Sequence, residues 1–310
     1  EKTIFNGKTK LIEVVNLTVL NKIIGSGWEY KYDPAWVTQS KCPYNSSTKH
    51  LQEIKSKLQK NKLLPQPIMT KPGRAYYRGY CSSLASLPRA LRQALACSYK
   101  DYDMNNAQFS ILLSVCQKMN VPKSEYKGLD TYVNKREECL KTISEQLFKK
   151  YDDETKVKVK NLFISNCLYL GSYKTWQETN DCSVSVCPDI ITKLKTTIEN
   201  IFTKYVKPNN LELFQQIKDK IKKTNKHWKN PLASLGSAFL GFHEQLIVEH
   251  IVKTLMKKKK IKKNNFIYCF DGFMVRDELD CDNLNKITFD LGYQEVKWSE
   301  KSMNEGQELI

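Results

Sequence analysis

Two aspartates, Asp103 and Asp271, lie at the ends of short apolar segments of the sequence, where carboxylates are well placed to bind divalent cations. Asp103 closes the segment 99–103, and Asp271 lies between the apolar runs 266–270 and 273–275. Two-metal phosphoryl transfer needs carboxylates on stiff elements that hold a pair of ions about 3.5 to 4 Å apart. A strand end and a hairpin tip are stiff, so this pair predicts phosphoryl-transfer chemistry with two Mg²⁺ ions.

Each aspartate also has an ordinary structural interpretation. Asp103 precedes a helical pattern and is a residue type that often caps helices. Asp271 is followed by Gly272, and Asp-Gly is a common turn pair. From the residues alone, both interpretations stay open beside the catalytic one.

The elements that would position the two aspartates are visible in the hydrophobic pattern. A strand over 99–103 leads into a helix over 106–119, and two short strands flank the Asp-Gly pair as a hairpin. Further helices are predicted over 129–151, 153–170, 188–205, 211–226 and 236–255. Three prolines between 63 and 72 predict a boundary, with an N-terminal region over 1–72 and a second unit over 73–310. The pattern predicts an α+β fold.

Composition narrows the class of partner. The chain has 310 residues, 50 Lys and Arg against 33 Asp and Glu, and a formal net charge of +17. A positive field of this size attracts polyanions, so nucleic acid is the expected partner. No apolar run reaches the roughly 20 residues that cross a bilayer, and no signal-peptide core opens the sequence, so no membrane partner and an intracellular location are expected. Ten scattered cysteines without C-x-x-C predict reduced thiols.

The segment 102–112, Y-D-M-N-N-A-Q-F-S-I-L, resembles without a gap the first catalytic motif of family A DNA polymerases, A-D-Y-S-Q-I-E-L-R-I-L. The resemblance implies that Asp103 binds metal, together with the backbone carbonyl of Met104. It also places Gln108 at the position that selects the sugar of the incoming nucleotide. Because Gln can either block a 2′-hydroxyl or bond to it, deoxynucleotides are favoured and ribonucleotides stay open.

The segment 266–275, F-I-Y-C-F-D-G-F-M-V, is similar to the last motif of the same enzymes, in which H-D-E stands between two apolar strands. Asp271 keeps its place, whereas Phe270 and Gly272 replace the His and the Glu. The missing Glu removes one carboxylate, and Glu244 on the preceding helix is a possible third acid.

Between these motifs, the segment 156–171 resembles the fingers helix of the superfamily, R-x-x-x-K followed by an aromatic residue and Y-G. The resemblance implies that Lys156 and Lys160 bind the triphosphate, with Lys160 acting in catalysis. It places Phe163 and Tyr169 where an aromatic ring stacks on the new base pair. On composition alone, these lysines are an ordinary solvated helix face.

Residues 73–74 and 84–92 are similar to the G-R and L-Q-N-I-P segments upstream of the first motif. Arg74, Arg89 and Arg92 would then bind phosphates of primer, template or triphosphate. The basic run that begins with Lys257, Lys258 and Lys259 is a candidate for tracking nucleic-acid phosphates, with a nuclear localisation signal or a solvated linker as alternatives.

The combination of N-A-Q, F-D-G-F-M-V and S-x-x-L-G-F-H-E over about residues 73–290 resembles the transposon and virus polymerase family. These proteins are reduced relatives of family A DNA polymerases and of single-subunit phage RNA polymerases, often fused to a superfamily 3 helicase. The resemblance implies a right-hand fold with an antiparallel palm sheet, helical fingers over about 125–235 and a thumb-like N-terminal region.

The implied activity is that of a DNA-directed nucleotidyltransferase, a DNA polymerase with or without primase activity, replicating a virus or mobile element. Its partners would be template and primer DNA, nucleoside triphosphates and a helicase in the same polypeptide. Its cofactor would be two Mg²⁺ ions, which Mn²⁺ can replace. Two alternatives stay open: an RNA polymerase or dedicated primase, and a catalytically decayed nucleic-acid-binding module attached to a helicase.

Overall fold

The computed structural model describes residues 11–27, 29–32, 43–69, 75–77, 83–224, 226, 229–262 and 265–307. These residues form an α+β protein, as the sequence predicts. The chain divides into two compact units. Unit 1 comprises 1–105, 244–291 and 297–310, and unit 2 comprises 106–243 and 292–296. Within the described ranges, no helix is long and apolar enough to cross a bilayer.

In the residues that the structure describes, the first part of unit 1 contains short strands and two helices. Asn16 caps the first helix by accepting a hydrogen bond from the Val19 amide at 3.1 Å. The elements are β1 (Glu13–Val14), α1 (Leu17–Gly25), α2 (Ser47–Ser56), β2 (Lys62–Leu63), β3 (Pro67–Met69) and β4 (Ala75–Tyr77). Strands β1 and β2 pair antiparallel, as do β3 and β4.

The predicted boundary after residue 72 does not separate the two units. The proline-rich segment contributes one strand of the β3–β4 hairpin, because proline is tolerated at the start of a short edge strand. The apolar residues of α1 and α2 share one core with residues that follow the hairpin, among them Leu84, Leu91 and Met274. The N-terminal region is therefore part of the unit that carries both aspartates.

A four-stranded antiparallel sheet forms the centre of unit 1, in the order β6-β7-β5-β8. The predicted strand before Asp103 and the predicted hairpin around Asp271 are both confirmed. Strands β6 and β7 are buried throughout, which accounts for their unbroken apolar runs. The strands are β5 (Lys100–Asn105), β6 (Phe266–Tyr268), β7 (Gly272–Val275) and β8 (Lys297–Lys301).

Short helices complete unit 1. A 3₁₀ turn (Leu84–Ser86) and α3 (Arg89–Leu95) precede the central strand. The buried carboxylate of Glu13 holds the 3₁₀ turn, accepting hydrogen bonds from the Ser83 hydroxyl and the Leu84 amide, both at 2.6 Å.

In its described residues, unit 2 consists of helices, turns and connecting loops without a strand, in agreement with the helical pattern predicted over 125–235. The predicted helix over 129–151 is two helices that meet at Lys135. The elements are α4 (Ala107–Lys118), α5 (Lys123–Asn134), α6 (Arg136–Phe148), α7 (Asp153–Leu162), α8 (Tyr173–Thr179), α9 (Asp189–Ile201) and α10 (Leu211–Lys223).

Two helices of unit 2 continue into π-helical turns, Phe163–Leu168 after α7 and Phe202–Val206 after α9. A further helix, α11 (Pro231–Lys257), contributes its first part to unit 2 and its second to unit 1. In unit 1 it is followed by α12 (Cys281–Asp290) and α13 (Asn304–Gln307).

Candidate active site

Asp103 lies within the central strand of the unit 1 sheet. It is paired with Gly272 of β7 on one side and with Ser299 of β8 on the other. The helix that follows begins at Ala107, and its cap position is Asn106, which has a left-handed backbone at φ 51°. The interpretation of Asp103 as a helix cap is therefore wrong, and its side chain belongs to the sheet.

Asp271 lies in the turn between β6 and β7. The amide of Cys269 donates to the carbonyl of Gly272 at 3.0 Å and closes the turn. The left-handed residue of this turn is Phe270, at φ 64°, and Gly272 is in extended backbone as the first residue of β7. The amide of Met104 donates to the carbonyl of Asp271 at 3.2 Å, so the backbones that carry the two aspartates are hydrogen-bonded to each other.

Gly272 is required by a close approach of the two strands and not by its own φ angle. A Cβ atom there would lie 2.5 Å from the Tyr102 carbonyl oxygen and 3.1 Å from the Asp103 Oδ1. The first of these atoms is backbone and cannot move aside. Gly272 stands where the resembling motif has Glu, and the sheet in this chain has no room for such a side chain.

A lysine ammonium lies beside the Asp103 carboxylate. Lys301 Nζ is 3.9 Å from Asp103 Oδ2 and 3.3 Å from Asn105 Oδ1, and the Ser299 hydroxyl donates to the same Asn105 oxygen at 2.7 Å. Both members of the ion pair are about one-third exposed. Oxygen atoms of Asp103 and Asn105 thus surround a cation in this structure, the ammonium of Lys301 on β8.

Asp101 is an acidic residue of this site that the sequence motifs did not single out. Successive side chains of a strand alternate between faces, so Asp101 shares a face with Asp103, two residues on. Asp101 is only 6% exposed. Burial raises the pKa of its carboxyl, while the guanidinium groups of Arg92 and Arg89 act in the opposite direction and the charge of Asp271 raises it further. The sequence signal that could have indicated Asp101 is its spacing of two residues from Asp103 in K-D-Y-D, which places both side chains on one face of a strand.

Tyr102, between the two aspartates, anchors the other face of the strand. Its ring packs against Phe273 with centroids 5.9 Å apart, and its hydroxyl accepts a hydrogen bond from the Leu279 amide at 2.8 Å. The strand is thereby fixed by a buried aromatic residue on the face opposite the carboxylates.

The remaining predicted residues of unit 1 differ in their surroundings. Glu244, the possible third acid, is 1% exposed within α11. Arg89 pairs with Glu305 at 3.4 Å on the surface, and Arg92 is half-buried. The three lysines 257–259 are exposed at the end of α11, whereas Arg74 lies outside the described residues.

In unit 2, the two predicted triphosphate lysines have different environments. Lys156 Nζ lies 2.6 Å from the Glu137 carboxylate, which raises the pKa of the lysine. Lys160, one turn further along α7, is exposed. Part of the positive charge of this helix face is therefore already neutralised at Lys156.

The two predicted stacking rings also differ. The Phe163 ring is fully buried and stacked on Tyr132, with centroids 4.3 Å apart, so it has no face open to a base and that expectation is wrong for Phe163. The Tyr169 side chain is 41% exposed, and its hydroxyl lies 3.4 Å from Gln108 Oε1. The structure thus brings together the predicted aromatic and the predicted sugar-selecting residue, 61 positions apart.

The π-helical turn after α7 sets the position of Tyr169. The turn ends at Leu168, and Tyr169 is followed by Leu170, which has a left-handed backbone at φ 50°, and by Gly171, where a Cβ would lie 2.7 Å from the Ser165 carbonyl oxygen. Such π turns are rare and occur frequently at functional sites. A continuous α-helix, which the sequence predicts here, would place Tyr169 on a different part of the helix surface.

The side chains of unit 1 fit a divalent metal chemically, because magnesium prefers oxygen ligands from carboxylates and carbonyls. Asp103 and Asp271 supply two carboxylates on hydrogen-bonded backbones, and the Met104 carbonyl belongs to the same strand. Across the ranges that the structure describes, no group of three or more His, Cys, Asp and Glu side chains is arranged around a common metal position.

No protein-family model matches the sequence, and no curated protein is significantly similar to it. The resemblance to the transposon and virus polymerase family therefore depends on the sequence motifs: those around Asp103, Lys160 and Asp271, the segments 73–74 and 84–92, and S-x-x-L-G-F-H-E in α11.

Proposed function

We propose that the chain is a template-directed nucleotidyltransferase, a DNA polymerase or primase-polymerase that uses two Mg²⁺ ions. The observation that supports this most strongly is the hydrogen bond from the Met104 amide to the Asp271 carbonyl. It joins the segments that carry Asp103 and Asp271, 168 positions apart in the sequence, at one end of the two inner strands of an antiparallel sheet. The proposal includes a right-hand fold, with the four-stranded sheet as palm and the helices of unit 2 as fingers.

In this proposal Asp103 and Asp271 hold the metal ions, with the Met104 carbonyl as a further ligand. The ions, when bound, supply charge neutralisation at the α-phosphate and activation of the attacking 3′-hydroxyl. The chain itself holds the backbones of the two aspartates together through the β5–β7 pairing, and the Tyr102 hydroxyl anchors β5 by accepting a hydrogen bond from the Leu279 amide. Asp101, on the same face of β5 as Asp103, interacts electrostatically with Arg92 and Arg89.

The proposal assigns triphosphate binding to Lys160 and Lys156, the second of which pairs with Glu137 in this structure. Positive groups at fixed spacing stabilise the charge that develops on the leaving pyrophosphate. Tyr169 would stack on the new base pair, and Gln108, within reach of the Tyr169 hydroxyl, would contact the sugar. Nucleic-acid phosphates would be bound by the arginines 74, 89 and 92 and the lysines 257–259.

A second candidate function is an RNA polymerase or dedicated primase. The uncharged Gln108 supports it, because an amide bonds a 2′-hydroxyl as readily as it excludes one. A third candidate is a nucleic-acid-binding module that has lost catalysis. Two observations favour it: the Lys301 ammonium lies next to the Asp103 carboxylate, and position 272 is a glycine where the resembling motif has a glutamate.

One assay separates these functions. Full-length protein is incubated with Mg²⁺ and labelled deoxy- or ribonucleotides on primed and unprimed templates, beside Asp103→Asn and Asp271→Asn. Deoxynucleotide incorporation that falls at least ~1,000-fold in each variant, with template binding retained, supports the polymerase proposal. Ribonucleotide incorporation on unprimed template supports a primase. Template binding without incorporation by the wild type identifies the decayed module, and full activity in either variant refutes the metal assignment.

A further inference from the structure

Helix α10 (Leu211–Lys223) differs from the other long helices of unit 2 in its burial. None of its residues is buried, and its largest contact with another element is with the 3₁₀ turn Pro208–Asn210 that leads into it. Helix α9 has the same length and a similar separation of apolar from polar residues, yet it buries Ile191, Leu194, Ile198 and Ile201. Because helices in proteins are stabilised mainly by packing of their apolar face, the apolar face of α10 is incompletely used within unit 2.

The apolar residues of α10 form one stripe, the α10 stripe, which consists of Leu213, Phe214, Ile217 and Ile221. With 3.6 residues per turn, these four positions lie on one side of the helix. All four side chains are half-buried, and Leu211, at the start of the helix, is 60% exposed. Part of this stripe is therefore at the surface of the molecule.

Lysine side chains supply part of the cover over Phe214. The Lys207 ammonium lies 4.8 Å from the centroid of the ring, and the Lys218 ammonium lies 5.9 Å from it. Lysine stems follow apolar surface while the charged group stays in water, and exposed side chains of this kind change rotamer within nanoseconds. The ring can thus be uncovered without any change in the fold.

The charged residues of α10 are arranged around the stripe according to their sign. Lys218 and Lys220 border the stripe on its two sides, and further lysines follow in the last turn. Glu212 and Asp219 lie on the opposite face, where each accepts a hydrogen bond from a glutamine four residues away, at 3.1 and 2.9 Å. Positive charge is therefore next to the apolar stripe, and negative charge is far from it.

This arrangement matches the surface of a bilayer that contains anionic lipids. A helix of this type lies in the plane of the headgroups, with its apolar face towards the acyl chains and its lysines reaching the anionic groups. The acids on the far side stay in water, away from the negative surface. Such a helix needs no spanning segment, which is the only kind that the length of an apolar run detects.

Two other classes of partner fit the helix less completely. A nucleic-acid backbone would attract the lysines but would give the apolar stripe no partner. A coiled-coil partner would have a short seam, because the 13 residues of α10 supply fewer than two heptads, whereas coiled coils usually continue over about three or more. An anionic bilayer uses both the stripe and the lysines that border it.

We infer that α10 binds an anionic membrane surface, with the α10 stripe in the interface and with Lys218 and Lys220 on the lipid headgroups. Each lysine close to such a surface strengthens binding about fivefold. The inference is independent of the proposed function, because α10 contains none of the residues assigned to the metal ions, the nucleotide or the template. It gives the chain a peripheral membrane site in addition to the proposed polymerase chemistry.

The test is co-sedimentation of full-length protein with vesicles at physiological ionic strength. The vesicles consist of phosphatidylcholine alone, or of phosphatidylcholine and phosphatidylserine in equal parts. Lys218→Gln combined with Lys220→Gln removes the charges that border the stripe. Ile217→Gln places a polar group in the middle of the stripe.

Each variant has a matched control in the same unit. Lys123→Gln combined with Lys127→Gln removes the same charge from exposed positions of α5. Ile190→Gln makes the same substitution as Ile217→Gln at an isoleucine of α9 that is 38% exposed. These controls separate binding through α10 from effects of net charge and of surface polarity.

We expect the wild type to bind only the vesicles that contain phosphatidylserine. Binding should weaken at least ~10-fold in both α10 variants and less than about twofold in both controls. Equal losses in the variants and their controls overturn the inference, as does loss in the lysine variant alone when Ile217→Gln folds. Equal binding to both kinds of vesicle, or no binding by the wild type, also overturns it. The lysines are exposed, so their variant and its control still decide if Ile217→Gln does not fold.

Two further measurements identify another occupant of the stripe. A dimer in sedimentation equilibrium that dissociates in Ile217→Gln would assign α10 to self-association and overturn the inference. Duplex DNA binding that is lost in the lysine variant, when the wild type binds no vesicles, would assign the helix to nucleic acid and also overturn it. Vesicle binding should be unchanged in Asp103→Asn, and incorporation on free template should be unchanged in the lysine variant. Failure of the polymerase proposal and failure of the membrane inference are therefore distinguishable.

Discussion

The amide of Met104 donates a hydrogen bond to the carbonyl of Asp271 at 3.2 Å, which ties the strand carrying Asp103 to the turn carrying Asp271. The bond continues the β5–β7 ladder one step beyond the Asp103–Gly272 pair. The backbones that carry the two carboxylates are therefore held next to each other, and two-metal chemistry requires such a rigid support. Substitutions that separate these two segments are expected to lower nucleotide incorporation more than they lower the stability of the fold.

Gly272→Ala is the smallest such change. The added Cβ would lie 2.5 Å from the Tyr102 carbonyl oxygen, so β5 and β7 must move apart. Overpacking of this kind costs about 1 to 3 kcal/mol. We expect the free energy of unfolding, measured with urea, to fall by that amount and nucleotide incorporation to fall at least ~10-fold.

Gly25→Ala is the matched control for this variant. A Cβ at Gly25 has no atom within 4 Å, and Gly25 is the last residue of α1. Its substitution should leave both stability and incorporation nearly unchanged. Equal losses in the two variants would show that the approach of the strands at Gly272 is not the cause.

Lys301→Gln is expected to lower the Mg²⁺ concentration needed for half-maximal incorporation. The Lys301 ammonium lies 3.9 Å from Asp103 Oδ2 and so competes with a metal ion for that carboxylate. A unit charge at about 4 Å contributes ~1 kcal/mol in water, which corresponds to about a fivefold shift in metal affinity. A Mg²⁺ titration of primer extension measures it.

Lys286→Gln, at an exposed lysine of α12, removes the same charge away from the carboxylates and is the control. An equal shift in both variants would assign the effect to net charge. A higher Mg²⁺ requirement in Lys301→Gln would show that Lys301 assists metal binding instead of competing with it.

The strands around the two aspartates could be predicted from the sequence, because the apolar pattern that defines each strand lies within a few consecutive residues. The apolar runs around Asp271 gave the hairpin, and the run before Asp103 gave the strand. The role of Gly272 was not predictable, because Asp-Gly suggests a turn glycine whereas the left-handed residue is Phe270. Only the pairing with β5 shows that Gly272 is needed for close approach.

Other features escaped prediction for related reasons. A π-helical turn differs from an α-helical one by a single extra residue per hydrogen-bonded turn, too small a change for the apolar pattern to mark at Phe163. Asp101 looks like any charged strand residue until the structure buries it near Arg92. The prolines between 63 and 72 suggested a boundary, but apolar residues from both sides of them pack into one core.

Gln108→Ala tests sugar selection. The side chain lies within 3.4 Å of the Tyr169 hydroxyl, and its removal leaves space where a 2′-hydroxyl could be accommodated. We expect the ratio of ribonucleotide to deoxynucleotide incorporation efficiency to rise about tenfold, in single-nucleotide extension assays. Tyr169→Phe keeps the ring and removes the hydroxyl, so it should shift the ratio in the same direction by a smaller factor.

A matched control for this pair is Tyr151→Phe, at an exposed tyrosine whose hydroxyl lies 3.3 Å from a Glu137 oxygen. It should leave the ratio unchanged. If Gln108→Ala lowers ribonucleotide use, Gln108 bonds the 2′-hydroxyl and does not exclude it, which would favour the RNA polymerase or primase alternative.

His243 makes the stability of unit 2 depend on pH. Its Nδ1 lies 2.5 Å from the Tyr293 hydroxyl, and burial, together with the charge of Lys118, lowers the pKa of the imidazole to about 4. The unfolded chain, with an ordinary pKa near 6.5, binds more protons than the folded one between these values. Stability is therefore complete above about pH 6.5 and falls as the pH decreases toward 4, by about 2 kcal/mol between pH 7 and pH 5.

Urea unfolding of wild type and His243→Gln at the two pH values measures this contribution. The variant should lose less stability than the wild type on going from pH 7 to pH 5, whatever its stability at pH 7. His250→Gln, at an exposed histidine of the same helix, should lose as much as the wild type. If His243→Gln loses as much stability as the wild type, protonation of His243 is not the cause of the acid sensitivity. Other titrating groups would then cause it, and the first to test is His50, whose pKa burial lowers to about 4.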